Sequence, residues 1–240
     1  MKILITSILS ASSATAFGAL AALAVPFVLE LPLVADYFLI YSGLMLLCRL
    51  SRAGSTYSIM TASDSAVSNR VYVDSIAISL RAFFVSSLFV YAVLAIFGLD
   101  SLGFLLHLLL WGALEIVVVT SADWMRATSR PWLAVFTGLS AKNPILFLLV
   151  LGVWFADIKV GLLTLIVCHQ ISLALVFLFV VVLEKSSLFE SFWRFCSPVT
   201  IGQDIRAFSA RFEMLIFDMH IFVQSNMDYW VVYMFFDKKL

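Results

Sequence analysis

Charge is scarce in this 240-residue chain: Asp, Glu, Lys and Arg make up only 12% of it, against about 25% in an ordinary soluble domain. Acids and bases number fifteen each, so no net field draws the chain to nucleic acid. Cys48, Cys168 and Cys196 are the only cysteines. They sit in or beside apolar runs without ligand-like spacing, and an odd count argues against a disulfide framework. Ten Gly and five Pro are too few for a disordered linker. A Walker-type phosphate loop, a His-Glu-x-x-His zinc pair and a Gly-x-Ser-x-Gly elbow are all missing. So are an acidic cluster of the metal-dependent glycosyltransferase kind, a selectivity-filter sequence and a regular arginine ladder. Hydroxyls are many, but none has an obvious activating base. The expectation is a protein that is not an enzyme and carries no cofactor or metal.

What is present is apolar length. Hydrophobic residues make up 63% of the chain, and the mean hydropathy is +1.07. A bilayer core of ~30 Å needs about 20 apolar residues per crossing helix. The sequence predicts an all-α, polytopic transmembrane bundle of about seven helices, over 3–29, 34–60, 71–97, 105–124, 131–155, 160–183 and 212–236. The first opens like a secretory signal, with Lys2, an apolar run and the small residues Ala14-Thr15-Ala16. A cleavable signal needs only about 7–15 apolar residues. Here the apolar run continues to Leu29, which predicts a retained span. Pro131 suits the first turn of the fifth helix. A longer amphipathic connector covers 184–211.

Orientation follows from Lys and Arg in the loops. One side collects Lys2, Arg49, Arg52, Arg70, Arg126, Arg130, Lys185, Arg194, Arg206 and Arg211. The other, before the seventh helix, has only Lys159 among Glu30, Asp36, Asp100 and Asp157. The predicted location is the inner (cytoplasmic) membrane, multi-pass, with a cytoplasmic N-terminus.

Three ionisable residues fall well inside predicted spans: Arg81, Glu115 and Lys142. Each lies about 9–11 residues from the basic end of its helix, roughly 14–17 Å deep at ~1.5 Å per residue. An unpaired charge at that depth costs at least ~2.5–3.5 kcal/mol. The third and fourth helices form a tight hairpin, so Arg81 and Glu115 are the expected pair, with Asp74 a second partner for Arg81. Two readings stay open: a structural salt bridge, or an excess of positive charge lining an anion-binding cavity. Lys142 stands beside Asn143-Pro144, where a proline frees a backbone carbonyl, and its long stem can snorkel. His169 and Gln170 lie near mid-span of the sixth helix; His107 lies near the outer end of the fourth and is the weaker candidate. A lone histidine there reads first as a packing residue. Glu213, His220, Gln224 and Asp228 fall on one stripe of the seventh helix. That stripe belongs either to a partly interfacial helix or to a cavity wall.

Three segments resemble the polysaccharide transporters, the O-antigen and lipid-linked oligosaccharide flippases of the multidrug/oligosaccharidyl-lipid/polysaccharide superfamily. One runs from Ala35-Asp36-Tyr37 to Leu46-Leu47-Cys48-Arg49-Leu50-Ser51-Arg52-Ala53-Gly54. Another is Ala122-Asp123-Trp124-Met125-Arg126 through Arg130-Pro131-Trp132-Leu133-Ala134, similar to the family's link between helices four and five. The third is Ser225-Asn226-Met227-Asp228-Tyr229-Trp230 through Phe236-Asp237-Lys238-Lys239. Their order and spacing span nearly the whole chain. Family members have about twelve or more helices in two six-helix bundles. The resemblance therefore implies a six-helix bundle over 1–183, a cytoplasmic connector over 184–211, and the first helix of a truncated second bundle over 212–240.

The resemblance also implies a function. The substrate would be a polyprenyl-pyrophosphate-linked oligosaccharide, flipped for cell-surface polysaccharide synthesis by rocking of two bundles. Arg81, Lys142 and Glu115 would stand at the substrate, with Gln224 and Asp228 offering hydrogen bonds to sugar. Arg49, Arg52 and Arg70 would attract the anion at the cytoplasmic mouth. Membrane lipids, glycan-assembly proteins or a missing second half are the expected partners; nucleic acid is not. Three other readings compete. A multidrug or organic-cation exporter would want free acids deep in the bundle. A polymerase or ligase of glycan assembly would want a large outer loop, and every outer loop here is short. A non-transporting membrane scaffold needs neither.

Overall fold

The structure, a computed structural model, describes residues 2–62, 65–96, 102–156 and 160–197. These residues are all helical apart from short connections: α1 (Lys2–Val28), α2 (Leu31–Arg52), α3 (Ser55–Thr61), α4 (Ser65–Ile96), α5 (Leu102–Ala127), α6 (Pro131–Thr137), α7 (Leu139–Phe155) and α8 (Leu162–Cys196). Five segments are long and apolar enough to cross a membrane: Leu33–Arg52, Asn69–Ala92, Leu102–Ala127, Pro131–Phe155 and Leu162–Cys196. Thr15–Val28 is a shorter apolar helix. The predicted seventh helix, with Gln224 and Asp228, lies outside the described residues.

The distribution of side chains fits a lipid-facing bundle. Phe89 and Val182 are 70% and 79% exposed, while Ser75, Ser79 and Ser172 are almost fully buried. Large apolar side chains cover the outside because lipid tails solvate them. Buried small residues such as these serines let helices approach closely. Some buried hydroxyls bond back along their own helix, Ser51 to the Leu47 carbonyl and Ser121 to that of Val117, both at 2.7 Å.

The core is built on α4 and α5. Phe83 lies fully buried against Gly112, where even a single added Cβ would fall 2.0 Å from the ring. Lower down, Tyr72 stacks on Trp124 at 5.1 Å, and its hydroxyl meets that of Ser121 at 2.8 Å. Around this pair, α8 packs on both α4 and α5, α2 packs chiefly on α4, and α1 lies along α7. At the end opposite the arginines, the Val160 amide donates to the Val28 carbonyl at 3.0 Å.

Three predicted helices differ from expectation. The second breaks after Arg52, where Gly54 takes φ 64° and starts the short α3. That left-handed backbone favours glycine. The fifth breaks at Gly138, whose Cβ position lies 3.0 Å from Ala122, so the turn needs close approach to α5. The sixth does not stop at its expected end, residue 183. It continues to Cys196 through a single non-helical residue, Glu184 (φ −129°, ψ 32°). Half of the expected connector is thus a helix docked on the bundle.

Candidate functional site

A buried ion pair lies at the middle of the bundle. Lys142 Nζ is 2.6 Å from Glu115 Oε2, with the two side chains only 1% and 5% exposed. Glu115 stands midway along α5. Lys142 is on the first turn of α7, directly after the Gly138 break, and its amide donates to the Gly138 carbonyl at 3.1 Å. The break gives α7 its own direction, and the turn that follows brings Lys142 to α5.

Beside the pair lies an aromatic cluster around His169, which is 2% exposed. Its Nε2 shares a 2.6 Å hydrogen bond with the Tyr37 hydroxyl. Its ring stacks on Trp111 at 4.2 Å and stands 5.5 Å from Tyr41. Next to it, the Gln170 amide donates to the His107 carbonyl at 2.7 Å, and its Oε1 lies 3.1 Å from His107 Nδ1. The two histidines thus do different work: His107 ties α5 to α8, whereas His169 joins α8 to α2. A cavity of about 250 Å³ opens between α1, α2, α7 and α8, with Tyr37, Tyr41, Asn143 and His169 in its wall.

Arg81 corrects the sequence expectation. Glu115 pairs with Lys142, not with Arg81. The reason is helical geometry. Phe83 faces α5 at Gly112, and Arg81, two positions earlier, lies about 200° round the helix at ~3.6 residues per turn. It meets the end of α8 instead. Arg81 Nε donates to the Phe195 carbonyl at 2.9 Å and Nη2 to that of Ser197 at 2.6 Å, with the Arg194 carbonyl also bonded. Carbonyls at a helix C-terminus lack intrahelical donors and carry partial negative charge, so a guanidinium suits them. Asp74, the second expected partner, forms an ion pair with Arg194.

A second group of charges gathers at the end of the bundle where α2 and α5 finish. Asp123 accepts from Arg52 at 2.5 Å and from Arg126 at 2.9 Å, with the Thr56 hydroxyl at 2.7 Å. Arg130 binds Glu184, at the kink of α8, at 2.8 Å. Sequence reading placed Asp123 in a motif but missed its role. The signal was there: Asp123 lies three residues before Arg126, the spacing at which a helical acid and base meet. Arg49 is half-buried and Arg70 exposed. Gln224 and Asp228 are outside the described residues. Arg52, Arg81 and Lys142 therefore each have an anionic or carbonyl partner, and no cluster of cations without partners lines the cavity.

Among the described residues, no group of three or more His, Cys, Asp or Glu is placed to hold a metal. The chain matches no family model, no curated protein and no solved structure. The described residues form an all-helical bundle with five helices long and apolar enough to cross a membrane, and inside it lie a paired charge and a largely apolar cavity.

Proposed function

We propose that this protein takes part in moving a polyprenyl-pyrophosphate-linked oligosaccharide across the cytoplasmic membrane, as the resemblance of its sequence implies. The observation that carries the reading is the Lys142–Glu115 pair, desolvated at mid-span, with Asn143 beside it in the cavity wall. Ionisable residues inside a membrane mark substrate or ion paths more often than they mark ordinary packing. A buried pair is also weak support for stability, since apolar replacements of similar volume are often no worse. Lys142 would meet a pyrophosphate only after Glu115 leaves it, so the pair works as a latch that the anion competes to open. A cation exporter needs a free acid at this depth, and Lys142 already occupies Glu115.

The non-transporting scaffold is the second reading. It is favoured by the fact that Arg52, Arg81 and Lys142 already have partners.

The test is flipping of a fluorescent polyprenyl-pyrophosphate-linked oligosaccharide by the full chain in liposomes. Transport predicts flipping above protein-free vesicles and its loss in Lys142→Met. Equal rates with and without the protein would overturn the transport reading and leave the scaffold.

A further inference from the structure

We infer that the end of α8, from Lys185 to Cys196, is a re-entrant helix whose aromatic face lies among the acyl chains of the leaflet at the basic end. The bilayer is taken to lie across the five apolar spans, whatever the chain carries through it. The sequence places these residues in a cytoplasmic connector.

Contacts with α4 set the depth. α4 and α5 run antiparallel, with Tyr72 beside Ser121 and Phe83 beside Gly112. Arg81 is therefore level with Leu114, near the middle of the Leu102–Ala127 span. At ~1.5 Å per residue it stands roughly 18 Å in from Asn69, where the α4 span begins. α8 climbs beside it. Ser187 Oγ donates to Asn69 Oδ1 at 3.0 Å, Arg194 pairs with Asp74, and the Phe195 ring lies 5.5 Å from that of Phe84. An arginine side chain leans toward the N-terminus of its helix, so the carbonyls on Arg81 lie nearer the basic end, roughly 10 Å deep.

The face turned outward is the wrong one for water. Ser187 and Ser191 are buried against the bundle, while Phe189, Phe192 and Trp193 are 71%, 61% and 73% exposed. The three rings stand at the i, i+3, i+4 spacing of one helical face. A helix bathed in water would turn its serines out and its rings in. Leu178 and Val182, on the span before the kink, are exposed in the same way. Trp suits the region next to the headgroups.

The helix end points to the same medium. In water the last carbonyls of a helix are solvated; in hydrocarbon each must find a donor within the protein. Here the carbonyls of Arg194, Phe195 and Ser197 all accept from Arg81. A mid-span arginine thus ends a helix inside the bilayer. The exposed charges stay near the surface. Lys185 follows directly on the Arg130–Glu184 pair. Glu190 stands about 100° round the helix from Phe189, on the flank. Its side chain leans back toward the headgroups.

Cys196 is the only exposed cysteine; Cys48 and Cys168 are buried. A nitroxide is attached to it on the full chain in detergent, and the protein is moved into phospholipid vesicles. Spin relaxation is then measured with dissolved oxygen, which concentrates in acyl chains, and with a water-soluble nickel complex. Ser186→Cys and Phe192→Cys, each with Cys196→Ser, complete a depth series at exposed positions. The oxygen-to-nickel ratio should rise severalfold from 186 through 192 to 196. A ratio as low at 196 as at 186 would put the segment in water or flat along the surface, and overturn the inference. Low collision with both reagents at 196 would mean that protein covers the face, a second copy included, and would overturn it too. If the label at 196 prevents folding, 192 against 186 decides in the same way.

Discussion

Lys142 and Glu115 form one ion pair, 2.6 Å apart and almost wholly withdrawn from solvent, on helices that the sequence separates by a turn and a break. Each neutralises the other, so neither is available to a ligand while the pair is closed. Breaking such a pair from one side leaves a buried charge, at a cost of about 3–5 kcal/mol, whereas replacing both partners by apolar residues is often neutral. Glu115→Leu and Lys142→Met should each lower the unfolding midpoint in detergent, and the double variant should recover most of the loss. Additive losses in the double variant would show that the two residues act separately.

Gly112 is the contact on which α4 and α5 close. Its Cβ position falls 2.0 Å from Phe83 Cζ, and Phe83 is fully buried, so the ring has little room to yield. Overpacking of this kind costs about 1–3 kcal/mol. Gly112→Ala should destabilise the protein by that amount in thermal unfolding, and Phe83→Leu in the same chain should restore much of it.

Arg81 holds the last turn of α8 through the Arg194, Phe195 and Ser197 carbonyls. Arg81→Met removes these bonds, and hydrogen bonds to charged groups are worth about 1.5–3 kcal/mol each. Hydrogen exchange should accelerate by about tenfold or more over the segment after Glu184, since ~1.4 kcal/mol is a factor of ten. The same helix before the kink should keep its protection. Uniform acceleration along α8 would show that Arg81 supports the whole helix, not its end.

Gly54 carries φ 64° between α2 and α3. An L side chain in that region costs roughly 1–2 kcal/mol. Gly54→Ala should lower the midpoint accordingly. It should also disturb the Arg52–Asp123 pair, since Arg52 is the last residue of α2. An unchanged midpoint would mean that the turn relaxes to negative φ without loss.

The docked end of α8 shows where sequence reading reaches its limit. Ser187 bonds Asn69, Arg194 pairs with Asp74, and the carbonyls beyond bond Arg81. Residue numbers on the two helices rise together, so this segment runs in the same direction as α4. The part before the kink runs with α5, as the His107–Gln170 and Arg130–Glu184 contacts require. One non-helical residue makes the change, and Glu184 carries no Pro or Gly signal to announce it. The apolar lengths were legible, as was the Pro131 start of α6. Which charges meet was not, because Arg81 and Glu115 share a depth but point to different neighbours.

Composition alone determined that this chain forms apolar helices long enough to span a bilayer, because each span must satisfy its own backbone and present apolar side chains to lipid. It also determined that the rare ionisable residues inside those spans must find partners, since the medium offers none. Only the tertiary structure decided which partners. Rotation of α4 by its Phe83–Gly112 contact turned Arg81 to the end of α8. The break at Gly138 brought Lys142 to Glu115, and the small face of α1 opposite the α2 rings left a cavity beside His169. These choices depend on helix rotation and on single-residue breaks, and a one-dimensional pattern of apolar and polar residues does not encode them.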